Sequence, residues 1–389
     1  MNFTISKAEF YEALHKVVGV VPQKTTISVL TCILLELENQ QLRLTGTDLE
    51  VSVTISLPVK AEENGSVAIP AKLLLEIVRE LPDVPLNIYS DMGDKIVIKT
   101  EKGLYKLATQ PREDFPRINI EEGDVSFDID SKLLSRMTDK TIFAVSNDEL
   151  RPALTGINMT LSPTEVSFVG TDGHRLSRIV SRKFSAPDNA PLNIIIPTKA
   201  LNLMMRILNS EESLKVQVGE DHIQFEFAAA VIYSKLINGS FPNYERVIPK
   251  DNDKKLYVNR ELLISTLRRV SIFSSSLTNQ VRFVITPAEV TIHSEDIEFG
   301  AEAKEVIPAT FTDEWMQIGY NSTYLLDILR HIDQEQVVFE LKDGGSAAIV
   351  YPENQDADES MLMLIMPIRI NEEPAGNEEE TAEGDVEQE

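Results

Sequence analysis

Hydrophobic and polar positions alternate along this chain in a pattern that starts three times. Each start is a short alternating strand that runs through a polar residue into a stretch with helical spacing. These starts are residues 3–10, 127–134 and 256–263. The polar residues Ser6, Asp130 and Asn259 are predicted to cap the helices that follow them. Three similar openings indicate a repeat.

Further landmarks recur in the same order. Gly46-Thr47-Asp48 returns 124 positions later as Gly170-Thr171-Asp172. An Ile-Pro pair before a helical stretch occurs at 69–70 and 196–197, and Phe-Pro occurs at 115–116 and 241–242. The order and spacing predict three domains and a tail, with boundaries at 1–124, 125–250, 251–370 and 371–389.

Within each repeat the pattern divides again. A strand and a helix are followed by three short alternating runs, which predicts two β-α-β-β-β units per domain. Helices on one face of antiparallel strands make a two-layer α+β fold. The predicted helices are Ser6–Val18, Pro70–Glu80, Asp130–Phe143, Pro197–Asn209, Asn259–Phe273 and Asn321–Ile332.

Charge is unevenly distributed along the chain, whose formal net charge is −25. The tail 371–389 holds nine acidic residues and no basic one, and its composition predicts disorder. The predicted helices contain thirteen basic and eight acidic residues, a net charge of +5, which leaves −21 on the rest of residues 1–370. Cationic helices in so acidic a chain favour a surface that meets phosphates without reading base sequence.

The remaining composition excludes several classes of protein. The single cysteine, Cys32, excludes a disulfide framework and a thiolate metal cage. The first residues lack the layout of a signal peptide, and no apolar run reaches the roughly 18 residues of a membrane span. We therefore expect a cytoplasmic protein.

Four motifs, together with the repeat, resemble the bacterial β sliding clamp, the beta subunit of DNA polymerase III. They are Asp148-Glu-Leu-Arg-Pro-Ala-Leu-Thr-Gly156, Gly170-Thr-Asp-Gly-His-Arg-Leu176, Phe241-Pro-Asn-Tyr-Glu-Arg-Val-Ile-Pro249 and Met366-Pro-Ile-Arg-Ile370. The resemblance covers residues 1 to about 370. It implies a head-to-tail homodimeric ring whose helices face duplex DNA and whose sheets lie outside. It also implies a processivity factor without enzymatic activity or cofactor, to which polymerase subunits, the clamp loader and repair proteins bind through short peptides.

The resemblance also implies three sets of site residues. A peptide-binding cleft between the second and third domains would contain Leu154, Thr171, Gly173, His174, Arg175, Leu176, Pro242, Arg246, Val247, Leu364, Met366, Pro367, Ile368 and Arg369. DNA would be faced by Lys24, Lys72, Arg151 and Lys199. The dimer interface would join Tyr105 and Leu107 to Ile272 and Phe273.

This chain departs from that family at several positions. Pro152 and Ala153 stand where the family often has aromatic residues, so a stacking contact with DNA is not expected there. Ile368 and Ile370 replace the commoner Met and Leu. The acidic tail continues beyond the last motif, and we expect it to serve solubility.

Two other functions remain open from the residues alone. Asp172, His174 and Arg175 could form the acid–base cluster of a hydrolase. Against this, the chain has five histidines and no metal-binding H-E-x-x-H motif. The repeats could also form a protein-interaction scaffold that never encircles DNA, although the charge of the helices disfavours it.

Overall fold

The computed structural model describes residues 1–91, 94–118, 123–184, 192–208 and 213–370. The predicted acidic tail, 371–389, lies outside the described residues. The chain divides into two compact units. The first comprises Met1–Tyr244 and Gln355–Leu362, and the second comprises Glu245–Asn354 and the chain from Met363 onward.

The described residues contain six α-helices, close to the six predicted. They are α1 (Lys7–Val18), α2 (Ala71–Glu80), α3 (Ser131–Ile142), α4 (Thr198–Ile207), α5 (Arg260–Val270) and α6 (Ser322–Arg330). The predicted caps are confirmed, since the side chains of Ser6, Asp130 and Asn259 accept hydrogen bonds from the main-chain N–H groups of Glu9, Leu133 and Leu262.

Helix ends differ from the prediction by up to three residues. Two helices begin just after Pro70 and Pro197 and not at the prolines themselves. The helix expected to reach Phe273 ends at Val270, where the chain tightens into a 3-10 turn at Ser271–Phe273. Further 3-10 turns lie at Ser28–Thr31, Arg112–Asp114, Pro152–Leu154 and Tyr244–Arg246.

Twenty-five strands lie in the same described residues. In the first unit they are β1 (Asn2–Ser6), β2 (Cys32–Glu38), β3 (Gln41–Thr47), β4 (Val51–Pro58), β5 (Lys60–Glu63), β6 (Gly65–Pro70), β7 (Pro85–Asp91), β8 (Lys95–Lys99), β9 (Leu104–Ala108), β10 (Val125–Asp130), β11 (Gly156–Leu161), β12 (Val166–Thr171), β13 (Arg175–Ser181), β14 (Leu192–Pro197), β15 (Ser213–Val218), β16 (His222–Glu226) and β17 (Ala230–Lys235). The others are β18 (Lys254–Asn259), β19 (Gln280–Ile285), β20 (Glu289–Asp296), β21 (Ala301–Phe311), β22 (Met316–Asn321), β23 (Gln336–Leu341), β24 (Ala348–Pro352) and β25 (Glu359–Ile365).

The element order confirms the predicted α+β fold of repeated β-α-β-β-β units. One strand, β5, is added within the first repeat. The first strand after α1 begins only at Cys32, because residues 28–31 form a 3-10 turn.

The strands of the first unit pair antiparallel. One sheet has the order β5-β1-β7-β8-β9, and a larger one has the order β10-β15-β16-β17-β4-β3-β2-β6. In the larger sheet β4 of the first repeat pairs directly with β17 of the second, with Val53 opposite Ile232. A further run has the order β14-β11-β12-β13.

The second unit uses the same architecture. Its strands follow the order β24-β23-β18-β21-β20-β19-β22, and the last residues of β25 pair with β24. Helices α5 and α6 pack against each other, and α5 also packs on β20 and β21. Alternate strand residues such as Val281, Phe283 and Ile285 are buried, which is the pattern of a sheet with one face on a core.

Candidate functional site

The tight turn between β12 and β13 carries several of the predicted cleft residues. The Thr171 hydroxyl donates to the carbonyl oxygen of Arg175 at 2.7 Å. Asp172 Oδ1 accepts from the main-chain N–H groups of His174 and Arg175, at 2.8 and 2.9 Å. Gly173 has a φ of +92°, a conformation that glycine adopts without strain. The turn is therefore held by its own Thr and Asp side chains.

The first repeat builds the same turn between β3 and β4. The Thr47 hydroxyl donates to the carbonyl oxygen of Val51 at 3.0 Å, and Asp48 Oδ1 accepts from the N–H groups of Glu50 and Val51. Leu49 occupies the position of the glycine, with a φ of +79°. The recurrence of Gly-Thr-Asp in the sequence thus corresponds to a recurrence of one turn.

Arg175 ties its turn to the end of a helix. Its Nη2 atom donates to the carbonyl oxygen of Phe143, the C-terminal cap residue of α3, at 2.8 Å. Its Nε atom donates to Asp172 Oδ2 at 3.2 Å, and its guanidinium lies 5.5 Å from the centroid of the Phe143 ring. Arg175 is buried, so its role in the structure is to position the turn.

The other predicted cleft residues of the first unit differ in accessibility. Gly173, His174 and Pro242 are exposed to solvent. Leu154, Thr171 and Leu176 are buried. We infer that His174 and Pro242 offer the side chains a ligand can reach, while the buried residues support them.

In the second unit the predicted residues lie on two segments. Arg246 and Val247 are exposed in the stretch that follows β17, and Leu364 is buried in β25. Met366 and Arg369 are exposed, whereas Pro367 and Ile368 are half-buried. The N–H of Ile368 donates to the carbonyl oxygen of Gly319 at 2.8 Å.

The position of Ile368 depends on Gly319. A Cβ atom added to Gly319 would lie 2.7 Å from the carbonyl oxygen of Ile368, which is closer than real Cβ contacts. The absence of a side chain at 319 therefore lets the segment 366–370 lie along β22.

The helices carry the cationic character that the sequence predicted. With the observed bounds they contain thirteen basic and seven acidic residues, a net charge of +6. Six of the basic residues on the helices form no ion pair with another described residue, and Lys24, in the loop that follows α1, also forms none. The six are Lys7, Lys16, Lys72, Lys132, Arg206 and Arg268.

The four residues predicted to face DNA fall into two classes. Lys24 and Lys72 belong to the unpaired group and are exposed. Arg151 instead donates to Asp148 Oδ2 at 2.8 Å, and this hydrogen bond holds the pKa of the Asp148 carboxyl below its ordinary value. Lys199 forms an ion pair with Asp48, and its Nζ atom lies 3.3 Å from the carbonyl oxygen of Val20.

The residues predicted for the dimer interface lie on an edge strand in the first unit and on a 3-10 turn in the second. On β9, the edge strand of its sheet, Tyr105 is exposed but Leu107 is only 2% exposed and belongs to the core of the first unit. Leu104, on the same strand, is 52% exposed. In the second unit Ile272 and Phe273 are exposed on the 3-10 turn that packs against β20 and β21.

The possible acid–base cluster does not have a free carboxylate. Both oxygens of Asp172 accept hydrogen bonds, from the main chain and from Arg175. Within the described ranges no group of three or more His, Cys, Asp or Glu residues is arranged to hold a metal ion. Over the same residues, no helix is both long and apolar enough to cross a membrane.

Comparisons with known proteins agree on one family along nearly the whole chain. The N-terminal, central and C-terminal domains of the DNA polymerase III beta subunit match residues 1–119, 128–243 and 245–369. The beta sliding clamp of Pseudomonas aeruginosa is 33% identical over 373 residues, covering 95% of this chain and 100% of the relative. That of Chlamydia muridarum is 32% identical over 373 residues, covering 96% and 100%.

Solved structures give the same result. The crystal structure of the DNA polymerase III subunit beta from Pseudomonas aeruginosa matches with a TM-score of 0.90 at 32% identity. That of the sliding clamp from Bartonella birtlesii, bound to griselimycin, matches with a TM-score of 0.91 at 32% identity. Each match covers 95% of this chain and 100% of the other.

Proposed function

The chain belongs to the DNA polymerase III beta subunit family, the beta sliding clamps, and from this premise we propose that it is a processivity factor of DNA replication. Two copies close head to tail into a ring around duplex DNA. The ring holds polymerase subunits, the clamp loader and repair proteins on the DNA without catalysing a reaction itself. It acts in the cytoplasm and uses no cofactor.

The separation of charge between helices and the rest of the fold carries this proposal. The helices have a net charge of +6, whereas the remainder of residues 1–370 carries −22. Unpaired lysines such as Lys24 and Lys72 can approach phosphates, and they read no base sequence when they do so. An acidic outer surface repels DNA from the wrong side.

Free strand edges support the closure of the ring. Leu104 and Tyr105 are exposed on β9, at the edge of the first sheet. In the second unit residues 301–308 of β21 pair with β20, and β18 joins β21 only from Ala309. An exposed edge with apolar side chains favours pairing with another chain. We place Leu104 beside Tyr105 in the interface, with Leu107 supporting them from the core.

Peptide binding is proposed for residues of both units. Exposed Val247 and Met366 are suited to anchor the apolar side chains of a partner peptide, and His174 and Arg246 to fix its polar groups. Arg175, which is committed to Phe143 and Asp172, acts by positioning the turn that presents His174.

Retention on DNA of different topology tests the proposal. The full-length protein is loaded by a clamp loader onto nicked circular DNA, and half of the sample is then linearised with a restriction enzyme. A ring stays on the circle through gel filtration and leaves the linear DNA by sliding off its ends. Equal retention on both forms would show that the protein grips DNA and does not encircle it. Retention on neither would favour an interaction scaffold.

A further inference from the structure

The last residues of the proposed peptide-binding site lead directly into the acidic tail. Met366 and Arg369 are exposed, and the N–H of Ile368 donates to the carbonyl oxygen of Gly319 at 2.8 Å, which holds this segment along β22. Residues 371–389 follow, with nine acidic residues and no basic one. The tail therefore begins at the site itself.

The length of the chain keeps the first tail carboxylates close to the site. Glu372 and Glu373 come three and four residues after Arg369. Because one residue spans at most about 3.6 Å, their Cα atoms lie within about 11 and 14 Å of the Arg369 Cα atom. Extended side chains cover much of this separation, and the Debye length is about 8 Å at physiological ionic strength. Two carboxylates are thus within electrostatic reach of Arg369.

The second unit offers the tail exposed arginines. Arg246 and Arg369 are both predicted site residues, and neither forms an ion pair with another described residue. Val247, which is 55% exposed, and Met366, which is 44% exposed, belong to the same site. The tail complements the arginines in charge, but it has a single large apolar residue, Val386, for the apolar surfaces. It can therefore compete for the charged part of the site and not for the apolar part.

We propose that the acidic tail is an intramolecular competitor at the peptide-binding site. Its carboxylates occupy Arg246 and Arg369, whereas the surface of Val247 and Met366 stays open. Tethering raises the local concentration of the tail, which compensates for the weakness of each exposed ion pair. The site then excludes peptides that bind mainly through acidic groups and admits those with strong apolar anchors. This inference rests on the proposed function and describes the regulation of its peptide-binding site.

Fluorescence anisotropy of two labelled synthetic peptides on the full-length protein tests this. The peptides share leucine and phenylalanine anchors, and one carries two aspartates where the other carries two serines. In the neutralised variant all nine tail carboxylates are replaced by amides, with eight glutamates changed to glutamine and Asp385→Asn, so the length of the chain is kept.

The neutralised variant should bind the acidic peptide about 3- to 10-fold more tightly than the wild type at about 0.1 M salt. Its affinity for the serine peptide should change by less than about twofold, because that peptide does not compete for the arginines. The gain should vanish at about 1 M salt, where the Debye length falls to about 3 Å.

Two smaller variants separate local contact from net charge. Glu372→Gln/Glu373→Gln removes two carboxylates held near Arg369, and Glu387→Gln/Glu389→Gln removes two at the far end of the tail. The first pair should account for more of the gain than the second. In an Arg369→Gln background the first pair should have a smaller effect, since one partner of the interaction is already missing.

An unchanged affinity of the neutralised variant for the acidic peptide would overturn the competitor role and leave the peptide-binding site standing. Equal gains from the two pairs would show a long-range effect of net charge and would also overturn it. A neutralised variant that binds duplex DNA more tightly but the peptide no better would place the tail at the cationic helices instead. If neither the wild type nor any variant binds either peptide at any salt concentration, the proposed peptide-binding site fails together with the competitor.

Discussion

The Nη2 atom of Arg175 lies 2.8 Å from the carbonyl oxygen of Phe143, so one guanidinium connects the β12–β13 turn to the C-terminal end of α3. Arg175→Ala would leave Asp172 without its ion-pair partner in a site where both side chains are nearly buried. Breaking such a pair should lower the free energy of unfolding by about 2–4 kcal/mol. Urea denaturation measures the change.

His174→Ala is the control for that variant, because His174 is adjacent but exposed. Its effect on stability should stay within about 0.5 kcal/mol, while its affinity for a partner peptide should fall. Equal stability of the two variants would contradict a structural role for Arg175. A hydrolytic activity that His174→Ala abolishes would instead support a hydrolase with His174 in its acid–base cluster.

Unpaired lysines should contribute more to DNA binding than paired ones. Lys72→Ala removes an exposed cation without an ion pair among the described residues, and should lower the slope of log affinity against log salt by about 0.9. Lys199→Ala removes a cation already neutralised by Asp48, and should change the slope by less than half as much. Fluorescence anisotropy with a short duplex at several salt concentrations gives both slopes. Equal slopes for the two variants would contradict this division.

Peptide binding should depend on the exposed apolar residues of the second unit. Val247→Ser and Met366→Ser should each weaken a partner peptide by about tenfold or more without changing stability, because both side chains are exposed. Leu364→Ala, at a buried position, should lower stability by about 2–5 kcal/mol. Titration calorimetry measures the peptide affinity and thermal unfolding measures the stability. If both serine variants bind the peptide with unaltered affinity, the peptide binds elsewhere on the protein.

Tyr351 should ionise only at strongly alkaline pH. Burial, and then the hydrogen bond from its hydroxyl to Glu340 at 2.7 Å, raises the pKa of Tyr351 to about 12. Because this pKa lies above the value of about 10 for an unfolded chain, the stabilising contribution is complete below about pH 10 and is lost as the pH rises toward 12. Phenolate absorbance during an alkaline titration should lose one late-titrating group in Tyr351→Phe. If the phenolate absorbance of Tyr351→Phe at high pH equals that of the wild type, the raised pKa of Tyr351 is contradicted.

Removal of residues 371–389 should leave loading on DNA intact. The segment carries nine acidic residues, and solubility is the role we expect for it. Retention on nicked circular DNA should match that of the full chain, whereas solubility at low salt should decrease. Loss of loading would assign the segment a direct part in the process.

The local elements of the fold could be predicted because they depend on neighbouring residues. Ser6, Asp130 and Asn259 mark helix starts through their own side chains. Alternation places Tyr105 and Leu107 on the same face of β9, but it cannot show that only Leu107 meets the core. Whether a strand lies at a sheet edge, and which of its residues are buried, depends on pairing with strands that are distant in the sequence.

The residues of the candidate site could be predicted from the sequence, but the contacts of their side chains could not. The Gly-Thr-Asp motif located the turn, yet nothing near Arg175 in the sequence indicates that it reaches Phe143. Likewise the ion pair of Lys199 with Asp48 joins two repeats over a long sequence separation. Such contacts follow from tertiary packing, which the periodicity of one segment does not encode.

Because β4 pairs directly with β17, the chain should not be truncated at the boundary between the first two repeats. A fragment ending near residue 119 would keep β4 but lose β17, whose main chain forms the hydrogen bonds along one edge of β4. Its bare amides and carbonyls would recruit other chains, and aggregation would follow. The two repeats should therefore melt together in one cooperative transition, and a stable half-protein should not be obtainable by truncation between them.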